Sequence, residues 1–258
     1  MQNDDALAEE VQRFGPDPLS LLSRRINTVD DKIVFACQRS ARPRNSVRML
    51  IISKTVPSSI LRRLYHAGYT EFGENKVQEA LEKREELADL RVTWQMVGHL
   101  QKNKAKYIAR FASEFHALDD LSLAAELQRR LDIEDRFLDI FVQVNTSGEA
   151  SKYGLPPDRV PEFVRSLPEF PRLRPRGLMT LALHDTDMSK VRPCFRLLRE
   201  LRDATAVIDP RVVELSMGMS GDFDVAIEEG ATTIRIGQAI FGQRPTPDGF
   251  YWPREPNR

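Results

Sequence analysis

At 258 residues, 41% hydrophobic and 29% charged, the chain has the composition of one ordinary globular domain, large enough to fold without covalent staples. Lys+Arg and Asp+Glu both total 38, so the broad basic excess that selects nucleic acid or an anionic membrane is absent. Two cysteines, Cys37 and Cys194, lie far apart and outside any CxxC spacing, which excludes a disulfide framework and a cysteine zinc site.

The opening stretch Met1 to Glu10 is acidic and lacks the apolar run of a signal peptide. No stretch approaches about twenty apolar residues. A cytoplasmic protein with no membrane partner is expected. Residues 1–18, with several acids and two prolines, read as a flexible lead-in. From Leu19 to about Ser40, Leu22, Ile26, Val29, Ile33 and Val34 recur at helical spacing. Met49-Leu50-Ile51-Ile52 is then a continuous apolar run, as in a strand buried on both faces. Pro57 opens a helix that stops at Gly68, and Tyr69 to Phe72 reads as the next strand.

The same alternation returns six more times. Strands are expected at Val92–Val97, Glu114–Leu118, Phe137–Val144, Leu173–Met179, Val212–Leu215 and Thr233–Ile236. Amphipathic helices are expected at 75–88, 102–110, 121–131, 158–167, 188–204 and 221–229. Eight strands alternating with helices over about 250 residues give an α/β fold, a single (β/α)8 TIM-type barrel with an extra N-terminal helix. An open doubly wound sheet is the alternative, because barrel closure leaves no local signature. The barrel is expected over 19–242. An irregular tail with four prolines follows over 243–258.

In either architecture ligands gather beyond the carboxyl ends of the strands. Lys54 follows the first apolar run and reads either as a surface lysine or as an amine made nucleophilic by partial desolvation. Ser216-Met217-Gly218-Met219-Ser220 joins a strand to a helix, with Ser220 as the expected N-cap. Glycine there lets backbone N–H groups approach an anion, and barrels often bind phosphate after strands seven and eight, where this segment and Ile236-Gly237 fall. Asp222 and Asp224 would compete with a bound anion. Arg235 lies inside the last strand, where its charge needs a carboxylate, solvent or a ligand. The four histidines, His66, His99, His116 and His184, show no metal-ligand spacing, so no metal is expected.

Six motifs occur in order: Ser53-Lys54-Thr55; Phe72-Gly73-Glu74-Asn75; Val97-Gly98-His99-Leu100-Gln101; Arg176-Gly177-Leu178-Met179-Thr180; Leu215 to Ser220; and Arg235-Ile236-Gly237. Together they resemble the YggS/PROSC-type pyridoxal phosphate homeostasis proteins, from about Leu19 to Gly242. That resemblance implies a fold like the N-terminal barrel of alanine racemase and pyridoxal 5'-phosphate held as an aldimine on Lys54. It also implies Ser216, Ser220 and the Gly237 backbone on the phosphate, Arg235 facing the pyridine nitrogen, and Asn75, Met179 and Met217 lining the pocket. The family is linked to buffering or delivering vitamin B6 cofactor to apo-enzymes and to balanced amino-acid pools, not to a robust turnover. The chain departs from the family pattern at Lys76, at Trp94-Gln95-Met96-Val97 and at Leu181-Ala182-Leu183. Two alternatives stand beside this reading: an amino-acid racemase using the same cofactor, and a barrel enzyme acting on another phosphorylated metabolite. A monomer is expected.

Overall fold

The structure, a computed structural model, describes residues 10–243. Eight parallel strands form the wall: β1 (Arg48–Ile52), β2 (Glu71–Glu74), β3 (Thr93–Met96), β4 (Ala112–Leu118), β5 (Leu138–Gln143), β6 (Leu173–Met179), β7 (Glu214–Ser216) and β8 (Thr233–Ile236). Each pairs with the next in sequence, and β8 pairs with β1 through Leu50 opposite Arg235 and Ile51 opposite Ile236. The sheet is therefore a closed barrel, and the open-sheet alternative is set aside.

Helix α1 (Pro18–Arg39) is the extra N-terminal helix. Asp17 caps it by accepting from the Ser20 N–H, and Pro18 fits its first turn, where no N–H is needed. Its buried stripe of Leu22, Ile26, Val29, Ile33 and Ala36 packs on α8 (Phe223–Glu228) and the terminal α9 (Gln238–Phe241). Between the strands lie α2 (Ser58–His66), α3 (Val77–Glu86), α4 (Ala105–Ile108), α5 (Leu121–Ile133), α6 (Val160–Ser166) and α7 (Met188–Ala206). The 102–110 helix is shorter than expected, a 3-10 turn leading into the single turn α4. Strand β2 starts two residues later than the apolar pattern suggests. Gly68, at φ 100°, reverses the chain, and the Tyr69 N–H still closes on the Leu64 carbonyl, so the ladder begins only at Glu71. Residues 10–17, expected to be flexible, are instead docked, with Phe14 fully buried. The Pro-rich tail expected from 243 onward lies, apart from Gln243, outside the described residues.

Gly177 in β6 has a packing reason: a Cβ there would lie 1.9 Å from the Glu214 carbonyl oxygen of the neighbouring β7. No described helix is long and apolar enough to cross a membrane.

Candidate functional site

The carboxyl ends of β1, β2, β7 and β8 carry most of the residues singled out in the sequence. Lys54 lies one residue beyond Ser53 at the end of β1, half-buried. It lines a cleft with Ile52, Gly237, Gln238, Phe241, Gly242 and Arg13. The turn that carries it is held unusually firmly. Thr55 has φ 63°, a left-handed conformation that costs a β-branched residue about 1–3 kcal/mol and persists only when its surroundings over-determine it. Those surroundings come from α3. The Thr55 N–H donates to the Glu79 carboxylate, and Lys83 Nζ donates to the Ser53 carbonyl at 2.6 Å, to Glu74 at 2.7 Å and to Glu79 at 2.6 Å. Ser53 Oγ also donates to Glu74 at 2.7 Å. Lys83 is only 6% exposed and Glu74 is fully buried. The sequence reading missed this cluster. Its available signal was Glu79 and Lys83 at i and i+4, one turn after Glu74.

Two carboxylates share one buried cation here, and burial pushes the Glu74 carboxyl up to about 7 although Lys83 opposes it. A raised carboxyl binds its proton more tightly in the folded protein than in the unfolded chain. Its contribution is therefore complete below the ordinary value of 4.5 and is lost as pH rises through about 7. The unfolding free energy of the wild type is expected to fall from about pH 5 to pH 8 relative to Glu74→Gln, the change reaching on the order of 3 kcal/mol. Parallel pH profiles for the two proteins would show that Glu74 does not titrate there.

A second buried network runs through the barrel interior. Arg235, 4% exposed, donates to Ser216 Oγ and to the Thr180 carbonyl, both at 2.8 Å. Ser216 Oγ lies 2.9 Å from His116 Nδ1, and His116 Nε2 lies 2.7 Å from Glu114. Arg48 grips Glu114 with both guanidinium nitrogens, at 2.6 and 2.5 Å. Strand β4 neighbours neither β1 nor β7, so these bonds cross the interior. One extra β4 residue between Phe115 and Leu118 shifts the register there, a bulge at His116 of the kind that re-aims side chains.

Burial lowers the His116 pKa and keeps the ring neutral at physiological pH. Burial raises Glu114, but hydrogen bonds from Arg48 and His116 outweigh it and bring the carboxyl to about 2. With Glu114 ionised, Nε2–H must be the donor to it. Nδ1 then accepts from Ser216, which in turn accepts from Arg235. Burial lowers the Arg235 guanidinium to about 10, still cationic at neutral pH. Its hydrogen-bond partners are neutral oxygens, not the carboxylate of the ion-pair alternative.

The two serines of the β7 loop thus separate. Ser216 is fully buried, belongs to β7 rather than to the loop, and spends its proton on His116. A phosphate-donor role is withdrawn for it. Ser220 stays in the loop, but it does not cap α8. Its Oγ accepts from the Ala239 N–H at 3.1 Å, tying the loop to α9. Asp222 occupies the cap position and accepts from the Met219 N–H at 2.6 Å, so the carboxylate closes the loop. Gly218, at φ 94°, lets the loop pass α8; a Cβ there would meet that of Ala226 at 2.7 Å.

Gly237 lines the Lys54 cleft, and a Cβ on it would reach to 3.1 Å from the Ile52 carbonyl. Asn75, half-buried after β2, lies against Gly98, where a Cβ would come within 2.3 Å of its side-chain oxygen. Met179 and Met217 are fully buried beneath the mouth. Lys54 and Gly237 thus line one cleft, and Arg235 lies in β8 two residues before Gly237, which caps α9. Asn75, Met179 and Met217 are not among the residues that line this cleft. A cleft with an amine, a glycine backbone cradle and a neighbouring buried arginine suits a phosphorylated aldehyde.

Comparison with known proteins gives the same direction. Residues 57–245 match the family model "Alanine racemase, N-terminal domain". The pyridoxal phosphate homeostasis protein of Aquifex aeolicus is 42% identical over 221 residues, covering 85% of this chain and 97% of the relative. That of Pseudomonas aeruginosa is 39% identical over 227 residues, 88% of this chain and 97% of the relative. The structure of PipY from Synechococcus elongatus with PLP bound superposes with a TM-score of 0.73 at 34% identity, covering 83% of this chain and 100% of that one.

Proposed function

The chain belongs to the pyridoxal phosphate homeostasis protein family, and from that premise we propose that it binds pyridoxal 5'-phosphate at the Lys54 cleft and buffers or delivers it. One observation supports the reading: Lys54 and Gly237 line one cleft, so an amine and a backbone without a Cβ would face the same small ligand. In this reading Lys54 would hold the cofactor through its amine, while the Gly237 backbone and Ser220 would hold the phosphate. Asn75, Met179 and Met217 would form the wall around the ring, beyond the cleft lining.

When bound, this cofactor supplies an electron sink, and the sink is deep only when its ring nitrogen is protonated. Arg235 is the group that decides this. A guanidinium that stays cationic at neutral pH has no lone pair to take a proton and nothing to give up, so it keeps a ring nitrogen beside it unprotonated. Ser216, His116 and Glu114 hold that guanidinium in place from below. Such a site suits retention over carbanion chemistry, which favours a carrier. The delivery of cofactor to apo-enzymes and a monomeric state belong to the same proposal. A cytosolic location does too, supported by two buried cysteines outside any disulfide.

The test is direct. Purified protein supplied with pyridoxal 5'-phosphate should develop a visible band, and borohydride should fix one cofactor mass on the peptide containing Lys54. A colourless protein with an unmodified peptide overturns the proposal. Sustained racemisation of L-amino acids at about 1 per second or faster would instead assign a catalytic role.

A further inference from the structure

The segment ahead of α1 spans the two walls of the Lys54 cleft. One wall is the end of β1 and the turn after it, with Ile52 and Lys54; the other is Gly237 and α9, with Gln238 and Phe241. The register of β1 with β8 runs as far as Ile51 opposite Ile236, and residues 10–14, a helical turn, cross beyond that point. Phe14 is completely buried and sits edge-on to Phe241, with ring centroids 6.5 Å apart and an interplanar angle of 88°. Four residues earlier, Glu10 is 8% exposed; its carboxylate accepts from Ser59 Oγ and lies 3.6 Å from Arg63, both on α2. Between these anchors Arg13 donates to the Thr55 carbonyl, in the turn that carries Lys54. The segment is thus fastened to the helix after β1 at one end and to the helix after β8 at the other.

The junction with α1 is built to bend. Gly15, at φ 74°, ends the helical turn in the left-handed region that glycine enters without steric cost, and its N–H closes on the Val11 carbonyl at 2.8 Å. Among the described residues, nothing beyond its chain neighbours lies within 4 Å of where a Gly15 Cβ would stand. Val11, Gln12, Pro16 and Asp17 are exposed. A short segment of this kind, held by few buried contacts, opens at a free energy well below that of global unfolding.

We propose that residues 10–14 form a strap that sets how long the cofactor stays. Phe14 and Glu10 are positioning residues that hold the β1 turn and α9 together around it, and the strap detaches before release. The proposal rests on the cofactor reading above and adds control of release to it. A carrier must both retain and give up its cargo, and a strap separates these two demands from the covalent link at Lys54. By linkage, a closed strap that strengthens binding must itself be held closed by bound cofactor, to the same factor.

Two measurements on the full chain test this. In amide hydrogen exchange the Gly15 N–H reports strap opening, and saturation with pyridoxal 5'-phosphate should slow it about tenfold. For release, the loaded chain is mixed with a phosphatase that consumes free cofactor, and loss of the visible band is followed. Phe14→Ala should release about tenfold faster than the wild type, with Phe14→Leu recovering most of the difference. Leu131→Ala, a core truncation on α5 at the far side of the barrel, should weaken the fold yet leave release within about twofold. A Gly15 exchange rate indifferent to cofactor, or equal acceleration by Phe14→Ala and Leu131→Ala, overturns the strap and leaves residues 10–14 as a packing element. Should Phe14→Ala fail to fold, the Gly15 amide of the wild type decides alone. A wild type that develops no band with pyridoxal 5'-phosphate means that the cofactor reading has failed; a band released at one rate by every variant means that only the strap has.

Discussion

Lys54→Ala is expected to abolish the visible cofactor band and to leave no cofactor mass on the chain after borohydride treatment. The amine is the only group at the end of β1 that can form a covalent bond to an aldehyde, and alanine cannot replace it. Folding should be almost unaffected. Lys54 is half-buried in a turn whose shape is fixed by neighbours: Ser53 and Thr55 make the bonds to Lys83 and Glu79. The change in stability should stay within about 1 kcal/mol. Cofactor binding should persist in weakened, fully reversible form, because the phosphate contacts do not involve the amine. Equilibrium dialysis would show that remnant, and reduction with mass analysis would show the lost linkage. A variant that keeps its band and its fixed mass would place the covalent link on another lysine.

Lys83→Met should produce the largest loss of stability. At about pH 8 it leaves Glu74 and Glu79 buried or half-buried with no cation, and breaking a buried ion pair in this way costs about 3–5 kcal/mol. For a chain of this size the melting temperature should drop by roughly 10 °C. The second effect is on the cofactor site. Without Lys83 the Ser53 carbonyl loses its donor, and the left-handed Thr55 loses part of what holds it, so the Lys54 turn is free to relax. Combining Lys83→Met with Glu74→Gln and Glu79→Gln removes the unpaired charges and should restore most of the stability, as neutral replacements of buried ion pairs often do. It should not restore the cofactor affinity. Recovery of both together would reduce the cluster to a folding element with no positioning role.

How much of this was legible in the sequence depends on which physics is local. The strand runs Leu173–Met179 and Thr233–Ile236 stand where the apolar residues put them, the first beginning with Arg174 and Arg176 exposed between buried neighbours and the second buried throughout. The site loops were legible for a related reason: motifs such as Ser53-Lys54-Thr55 stand at strand ends, and strand ends face the mouth in any parallel sheet. His116 and Glu114 could have been found. They alternate two apart on an expected strand, so both fall on one face, and two polar residues facing a barrel interior must have partners there. What could not be read was the partner. Arg48 and Glu114 are 66 positions apart, and His116 and Ser216 are 100 apart. Their pairing exists only once the strands close into a ring.

Ser216 and Ser220 show the same limit within five residues. The same loop motif holds both, and the family resemblance implied both as phosphate ligands. The register of β7 turns one into the interior toward His116 and leaves the other in the loop. Arg13 shows it over a longer range, since acids and prolines suggested a loose lead-in, while Phe14 finds its pocket on a helix more than two hundred residues away. The sequence by itself determined the order of elements, the extra N-terminal helix and the lysine at the end of the first strand, because these follow from periodicity and motif along the chain. Barrel closure, the wire from Arg48 to Arg235, the Lys83 clamp and the entry of Arg13 were decided only by the tertiary structure. Each depends on the free energy of charges and hydrogen bonds between segments that covalent order keeps apart.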